Sequence, residues 1–176
     1  MIWTLIVTAS IQLLDLSNRA VDPLTRSPGV KAVVLVFTAS DCPISNRYAP
    51  EVQRLYREFS AKGVRFWLVY PNPAETPAAI REHEKSFGYP AEALRDPKQT
   101  LVKLANATVT PEAAVFVGNR LVYHGRIDDR IVDFGLERPA PTVHDLGDAL
   151  TAVLAGKPVA HPVTQAVGCF IADFAR

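Results

Sequence analysis

The chain has 176 residues, of which 48% are hydrophobic and 21% charged, and its formal net charge is +1. That is the composition of a single soluble globular domain, long enough to bury about 70% of its unfolded surface. No basic cluster stands out, which argues against a nucleic-acid or other polyanion surface, since that needs Lys and Arg concentrated on one face.

The opening MIWTLIVTAS is apolar but falls far short of the roughly 20 residues a membrane span needs. It lacks the basic start of a secretory signal, while Thr8, Ala9 and Ser10 are small enough to flank a cleavage site. Residues 1–10 are read as either a short signal or an apolar start. The compartment stays open between periplasmic or secreted and cytoplasmic, leaning to periplasmic. IQLLDLSNRAVDPL predicts a short hairpin turning at Ser17-Asn18. Residues 33–37 form a continuous apolar run, the mark of a strand buried on both faces. Over 46–61 the spacing of Val52, Leu55, Tyr56 and Phe59 predicts one apolar helix face, closed by Gly63.

A second strand follows at 64–69. Thr76-Pro77 reads as an N-cap with proline at the first helical position, starting a helix that stops at Gly88. Asp96-Pro97 opens a short helix through Leu104. Strands at 113–117 and 121–123 flank Gly118-Asn119, a two-residue hairpin turn. After an irregular loop over 128–141, Thr142 is expected to cap a last helix. Its buried stripe is Leu146, Ala149, Leu150, Val153 and Leu154, and Gly156 ends it. Strands joined by a crossover helix are parallel and the tight-turn pair antiparallel, so the expected fold is α/β, a mixed central sheet flanked by helices.

Two cysteines, Cys42 and Cys169, are too few for a disulfide-dense scaffold or a zinc ribbon. One disulfide, two free thiols, or one reactive and one packed thiol remain. Cys42 lies in FTASDCPISNRYAP, where the first strand meets the first helix. The unpaired N–H groups and dipole of a helix N-terminus favour a thiolate there and lower its pKa from the usual value of about 8.5. Pro43 suits the first turn. A small buried hydrophobe is the plainer alternative, but SDCPIS is polar and loop-like around the thiol.

Thr110-Pro111 immediately precedes a strand, where an X–Pro bond can be cis. Taken together, the Cys-Pro at a helix start, the Thr-Pro before a strand and the order of elements resemble the thioredoxin fold. Within it, the chain is similar to the redoxin (alkyl hydroperoxide reductase/thiol-specific antioxidant) branch over roughly residues 11–156, leaving 157–176 as a C-terminal tail. The resemblance implies a proline, Pro111, lying against the active-site Cys42 and shaping a groove for an extended substrate. It also implies a thiol or disulfide substrate, with peroxide as the alternative. Cys42, Ser45, Thr110, Pro111 and Cys169 are the expected catalytic residues, and no cofactor or metal is assigned. Oligomeric state is left open.

Three departures from the family pattern matter. Relatives carry Cys-x-x-Cys, but here the motif is Cys42-Pro43-Ile44-Ser45, whose serine can donate a hydrogen bond to a thiolate but cannot close a disulfide. Peroxiredoxins place Thr or Ser three residues before their cysteine, where this chain has Ala39, with Thr38 and Ser40 on either side. Their later arginine has no counterpart beyond Arg126. Cys169, in AVGCFIADF, either supplies the missing sulfur, as in two-cysteine peroxiredoxins, or simply packs down. Reach is no obstacle, since the stretch 157–168 spans up to about 40 Å when extended.

Copper-handling relatives suggest a weaker alternative, a binding or metal-delivery module using His124, Asp128 and Asp129 with the cysteines. A solvated hairpin end is the plainer and preferred reading of those three. Asp41 would raise the thiol pKa, while Arg47 could stabilise the thiolate. His83, His144 and His161 have no evident partners, and Trp67 is most simply core or surface.

Overall fold

The computed structural model describes residues 13–173. The apolar stretch 1–10 and the first two residues of the expected N-terminal hairpin lie outside the described residues.

The hairpin forms from β1 (Leu13–Asp15) and β2 (Ala20–Val21), paired antiparallel. Asn18 takes a left-handed φ of 60° in its turn, and the Asp15 carboxylate accepts from the backbone N–H groups of Ser17 and Arg19. The apolar run becomes β3 (Ala32–Phe37), every residue of which is buried. A Cys42-capped helix, α1 (Pro43–Phe59), follows; a 3-10 turn (Ser60–Lys62) then ends at Gly63. At Gly63 a φ of 94° and the Gly29 carbonyl, 2.5 Å from where a Cβ would sit, leave room only for glycine. Then come β4 (Val64–Tyr70), α2 (Pro77–Phe87), β5 (Glu92–Arg95) and α3 (Thr100–Ala105). The second half holds β6 (Val109–Thr110), β7 (Glu112–Val117), β8 (Arg120–Gly125), β9 (Ile131–Asp133), β10 (Leu136–Glu137), α4 (Asp145–Leu154) and β11 (Cys169–Phe170).

Seven strands make one mixed sheet in the order β2-β1-β5-β4-β3-β7-β8, with β3, β4 and β5 parallel and the others antiparallel to their neighbours. Strand side chains alternate between faces, so each strand feeds two cores. Val34 and Val36 join Val52, Leu55 and Phe59 of α1, Ile80 of α2 and Leu146 and Leu150 of α4. Val33, Leu35 and Phe37 face the other way, onto Leu101, Val102 and Ala105 of α3 and Leu24 beyond the hairpin. At about 1.5–3 kcal/mol per fully buried large apolar side chain, these two layers supply the main favourable term. They also fix the loop after β3 at one end of the sheet.

Two expected helix starts move. Thr142 does not cap α4; its hydroxyl and N–H bond the Asp129 carboxylate instead, and the helix begins after His144, which makes no side-chain cap. These charge-assisted bonds to the Asp129 carboxylate hold Thr142 three residues before the first residue of the helix. Asp96 does serve the short helix, but from a distance. Its two carboxylate oxygens accept from the N–H groups of Thr100, Leu101 and Val102, so α3 starts later than expected. The irregular 128–141 loop contains the β9–β10 hairpin, and β5 lies where no strand is expected.

Candidate active site

Cys42 sits where β3 has ended and α1 begins. It is the N-cap residue, and its sulfur accepts the Ser45 N–H at 3.4 Å. Pro43 occupies the first turn without wasting a donor. The Thr110–Pro111 peptide bond is cis, and it brings the Thr110 carbonyl oxygen to 3.0 Å from the Cys42 sulfur. The sulfur of Cys169 lies 2.8 Å away, and both cysteines are free thiols. All five expected residues therefore meet at one point, with Pro111 in the cis peptide beside it.

The tail reaches this point as a strand. β11 pairs antiparallel with β6, Cys169 opposite Thr110 and Phe170 opposite Val109. Ile171 donates its N–H to the Thr108 carbonyl, and the Gln99 side-chain amide donates to the carbonyl of Ala172. Gly168 permits the approach, because a Cβ there would lie 2.2 Å from the Thr110 oxygen. The groove beside Pro111, expected to receive an extended substrate, is filled by the chain's own residues 168–171. The reason is the sequence VGCFI, whose glycine allows close backbone contact and whose apolar residues Val167 and Ile171 pack against the two cores.

The two thiols differ in acidity. Burial pushes the Cys42 thiol up, but hydrogen bonding by the Cys169 thiol, by the side chain and N–H of Ser45 and by Thr110 outweighs it, leaving the value below the ordinary one. The Ser45 hydroxyl is buried with no fixed partner and is free to turn to the sulfur. One contact opposes ionisation: the Thr110 carbonyl can accept from a thiol but repels a thiolate. Cys169 moves the other way, pushed up to about 12 by burial, by its hydrogen bond to Cys42 and by the negative charges of Cys42 and Asp41. When the pair gives up one proton, the negative charge is therefore favoured on Cys42, with Cys169 as the donor. Only about 1% of Cys42 is exposed, whereas Cys169 is half-buried.

A polar network holds the loop. Ser40 N–H donates to Glu75 at 2.8 Å, and Asn46 donates its side-chain amide to the Ser40 carbonyl. That fixes the Asn46 oxygen as acceptor for His83 Nε2 at 2.7 Å, and in the neutral ring Nδ1 accepts from the Tyr70 hydroxyl at 2.8 Å. Burial pushes the His83 pKa down, which favours the neutral ring. The Tyr89 hydroxyl donates to the Ser45 carbonyl. Sequence reasoning left His83 without partners and missed Glu75 entirely; neither carries a local motif, and the fold alone brings them to the loop.

Other candidates go elsewhere. Arg126 is held by Asp145 at 2.7 Å and Arg47 by Glu137 at 3.2 Å. His124 lies 3.5 Å from Glu112, Asp128 accepts from Tyr48, and Asp129 binds Thr142 and Val143, so among the described residues these three do not gather with Cys42. His144 comes within 4.8 Å of Glu51 and Asp128, where Arg54 already neutralises Glu51.

Residues 11–124 match the AhpC/TSA family. The chain belongs to that family. AhpC/TSA membership places it among the redoxins, oxidoreductases built on the thioredoxin fold. An uncharacterized conserved protein from Geobacillus kaustophilus is 26% identical, with a TM-score of 0.77 over 92% of this chain and 87% of its own. A hypothetical protein from Sinorhizobium meliloti is also 26% identical, with a TM-score of 0.75 over 93% and 90%. A secreted Mycobacterium tuberculosis disulfide oxidoreductase shares the fold at 17% identity, with a TM-score of 0.54 over 84% of this chain and 96% of its own. No curated protein matches the chain. No described helix is long and apolar enough to cross a membrane.

Proposed function

We propose that this AhpC/TSA protein is a thiol–disulfide oxidoreductase whose redox couple is Cys42, the more acidic thiol, and Cys169, the second sulfur. The observation that carries the reading is the pair of sulfurs 2.8 Å apart at the N-terminus of α1. The helix end, the Ser45 N–H and the Cys169 thiol all favour negative charge on Cys42. Ser45 tunes the thiolate, and the second sulfur that CPIS lacks comes from the tail. The family and the fold shared with the mycobacterial disulfide oxidoreductase support the same chemistry.

The test uses exchange with a small disulfide, followed by mass mapping under non-reducing conditions. Wild type should cycle and yield a Cys42–Cys169 bond. Cys42→Ser should lose all activity, and Cys169→Ser, which lacks the other half of the couple, should not cycle either. Unchanged activity in Cys42→Ser would refute the reading.

A hydroperoxide is the alternative oxidant for the same thiolate. Ala39 in place of the orienting hydroxyl, and Arg126 tied to Asp145, argue against it. Stopped-flow mixing with hydrogen peroxide should give a rate no greater than that of a free thiol; a rate orders of magnitude higher would move the assignment to peroxidase.

A further inference from the structure

We infer that the β11 strand restricts the substrate to low-molecular-weight thiols and disulfides, and that exchange with substrate takes place at the sulfur of Cys169. The inference rests on the Cys42–Cys169 couple proposed above and adds which sulfur meets the substrate and what can reach it.

An extended peptide binds beside a strand by pairing with an open backbone edge, drawing its affinity from main-chain hydrogen bonds. The edge beside Cys42 is β6, and β11 already occupies it. Cys42 is buried beneath the tail. What stays open is a cleft of about 250 Å³ bordered by Ala39, Asp41, Pro71, Asn72, Cys169 and Phe170. Cys42 does not line it. That volume suits a small thiol, and because β11 already takes the β6 edge the cleft offers an extended chain no backbone to pair with. At its mouth Phe170 is 83% exposed and offers an apolar contact.

The chemistry fits attack from this side. In the oxidised protein an incoming thiolate RS⁻ attacks the Cys169 sulfur and forms R–S–S–Cys169. The bond to Cys42 breaks, and its electron pair leaves on Cys42 as thiolate. Of the two sulfurs Cys42 is the better leaving group, because its pKa is lowered while that of Cys169 is raised. A second thiolate then attacks the R sulfur. RSSR departs, and Cys169 leaves as a thiolate that takes up a proton. Two substrate thiols are oxidised and the protein disulfide is reduced to the dithiol. Run in reverse, the same steps reduce RSSR and oxidise the pair, so that small disulfide is the only oxidant required.

To test this, the oxidised full-length protein is mixed with cysteamine, quenched on the millisecond scale with N-ethylmaleimide, and mapped by mass spectrometry. Cysteamine is expected on Cys169 and the alkyl group on Cys42. Cysteamine on Cys42 would overturn the inference while leaving the proposed couple intact; failure to form any Cys42–Cys169 bond would overturn both. A second arm compares cysteamine with a reduced, unfolded peptide dithiol. Gly168→Ala drives a methyl into the Thr110 carbonyl and should dislodge β11, raising the peptide-to-cysteamine rate ratio about tenfold or more. Gln99→Ala, which removes only the bond to Ala172, should raise it in the same direction and serves if Gly168→Ala does not fold. A ratio unchanged in the folded variants would overturn the role of the strand.

Discussion

Ser45 acts on the thiolate through two groups, its backbone N–H at 3.4 Å and a buried hydroxyl without another partner. Alanine keeps the first and removes the second. In Ser45→Ala the midpoint of Cys42 alkylation against pH should therefore rise toward the ordinary thiol value, measured by mass spectrometry. An unmoved midpoint would mean that the hydroxyl does not tune the thiol. Glu75 poses a different problem. Its carboxyl is buried, one oxygen accepts from Ser40 and the other has no partner, and burial raises its pKa, with some help from Asp41. A carboxyl whose pKa is higher folded than unfolded stabilises fully below the unfolded value of about 4.3. That contribution disappears as pH climbs through the folded value, because the unfolded chain releases its proton first. Glu75→Gln keeps an acceptor for Ser40 but cannot ionise. Urea denaturation from pH 4 to pH 7 should thus show the variant gaining on wild type as pH rises; a constant difference would mean that Glu75 titrates normally.

At the scale of elements, α3 depends on a cap that is not adjacent to it. Asp96 is fully buried and accepts three N–H groups at the start of a helix only six residues long. Asp96→Ala should cost about 1–2 kcal/mol, lowering Tm by roughly 2–8 °C in a calorimetric scan. Such long-range partners mark the limit of what the chain could tell in advance. β3, β4, β7, α1 and α2 were legible because one periodicity, or one cap, dominates each. The meeting of Cys42 with Thr110-Pro111 was legible only through the resemblance to the thioredoxin fold, in which a proline at that position lies against the active-site cysteine. β5 was not, because EALR has no β-branched residue and owes its strand conformation to pairing with β4. β6 and β11 have two residues each and exist only through one another, so no window of sequence contains their cause. Gly168 was the available signal, because a glycine lets two backbones approach closely.

For the molecule as a whole, the tail closes the chain on itself. A bond between Cys42 and Cys169 would tie together positions 127 apart, which is most of the described sheet. Chain-entropy arguments assign a loop of that length roughly 5 kcal/mol of stabilisation, exerted mainly on the unfolded state. In the reduced protein β11 is already paired with β6, and Val167 and Ile171 are already packed. Oxidation therefore does not have to order a free tail, and little should offset the entropic gain. The lowered pKa of Cys42 works the other way, since it stabilises the reduced form. The first effect acts through the whole unfolded ensemble and the second through one ionisation, so the oxidised protein should be the more stable. Calorimetry should place its Tm about 10 °C above that of the reduced protein. Cys169→Ser, unable to close the loop, should melt at the same temperature with and without reductant. Equal melting of oxidised and reduced wild type would mean that the tail unfolds before the sheet, as a unit independent of it.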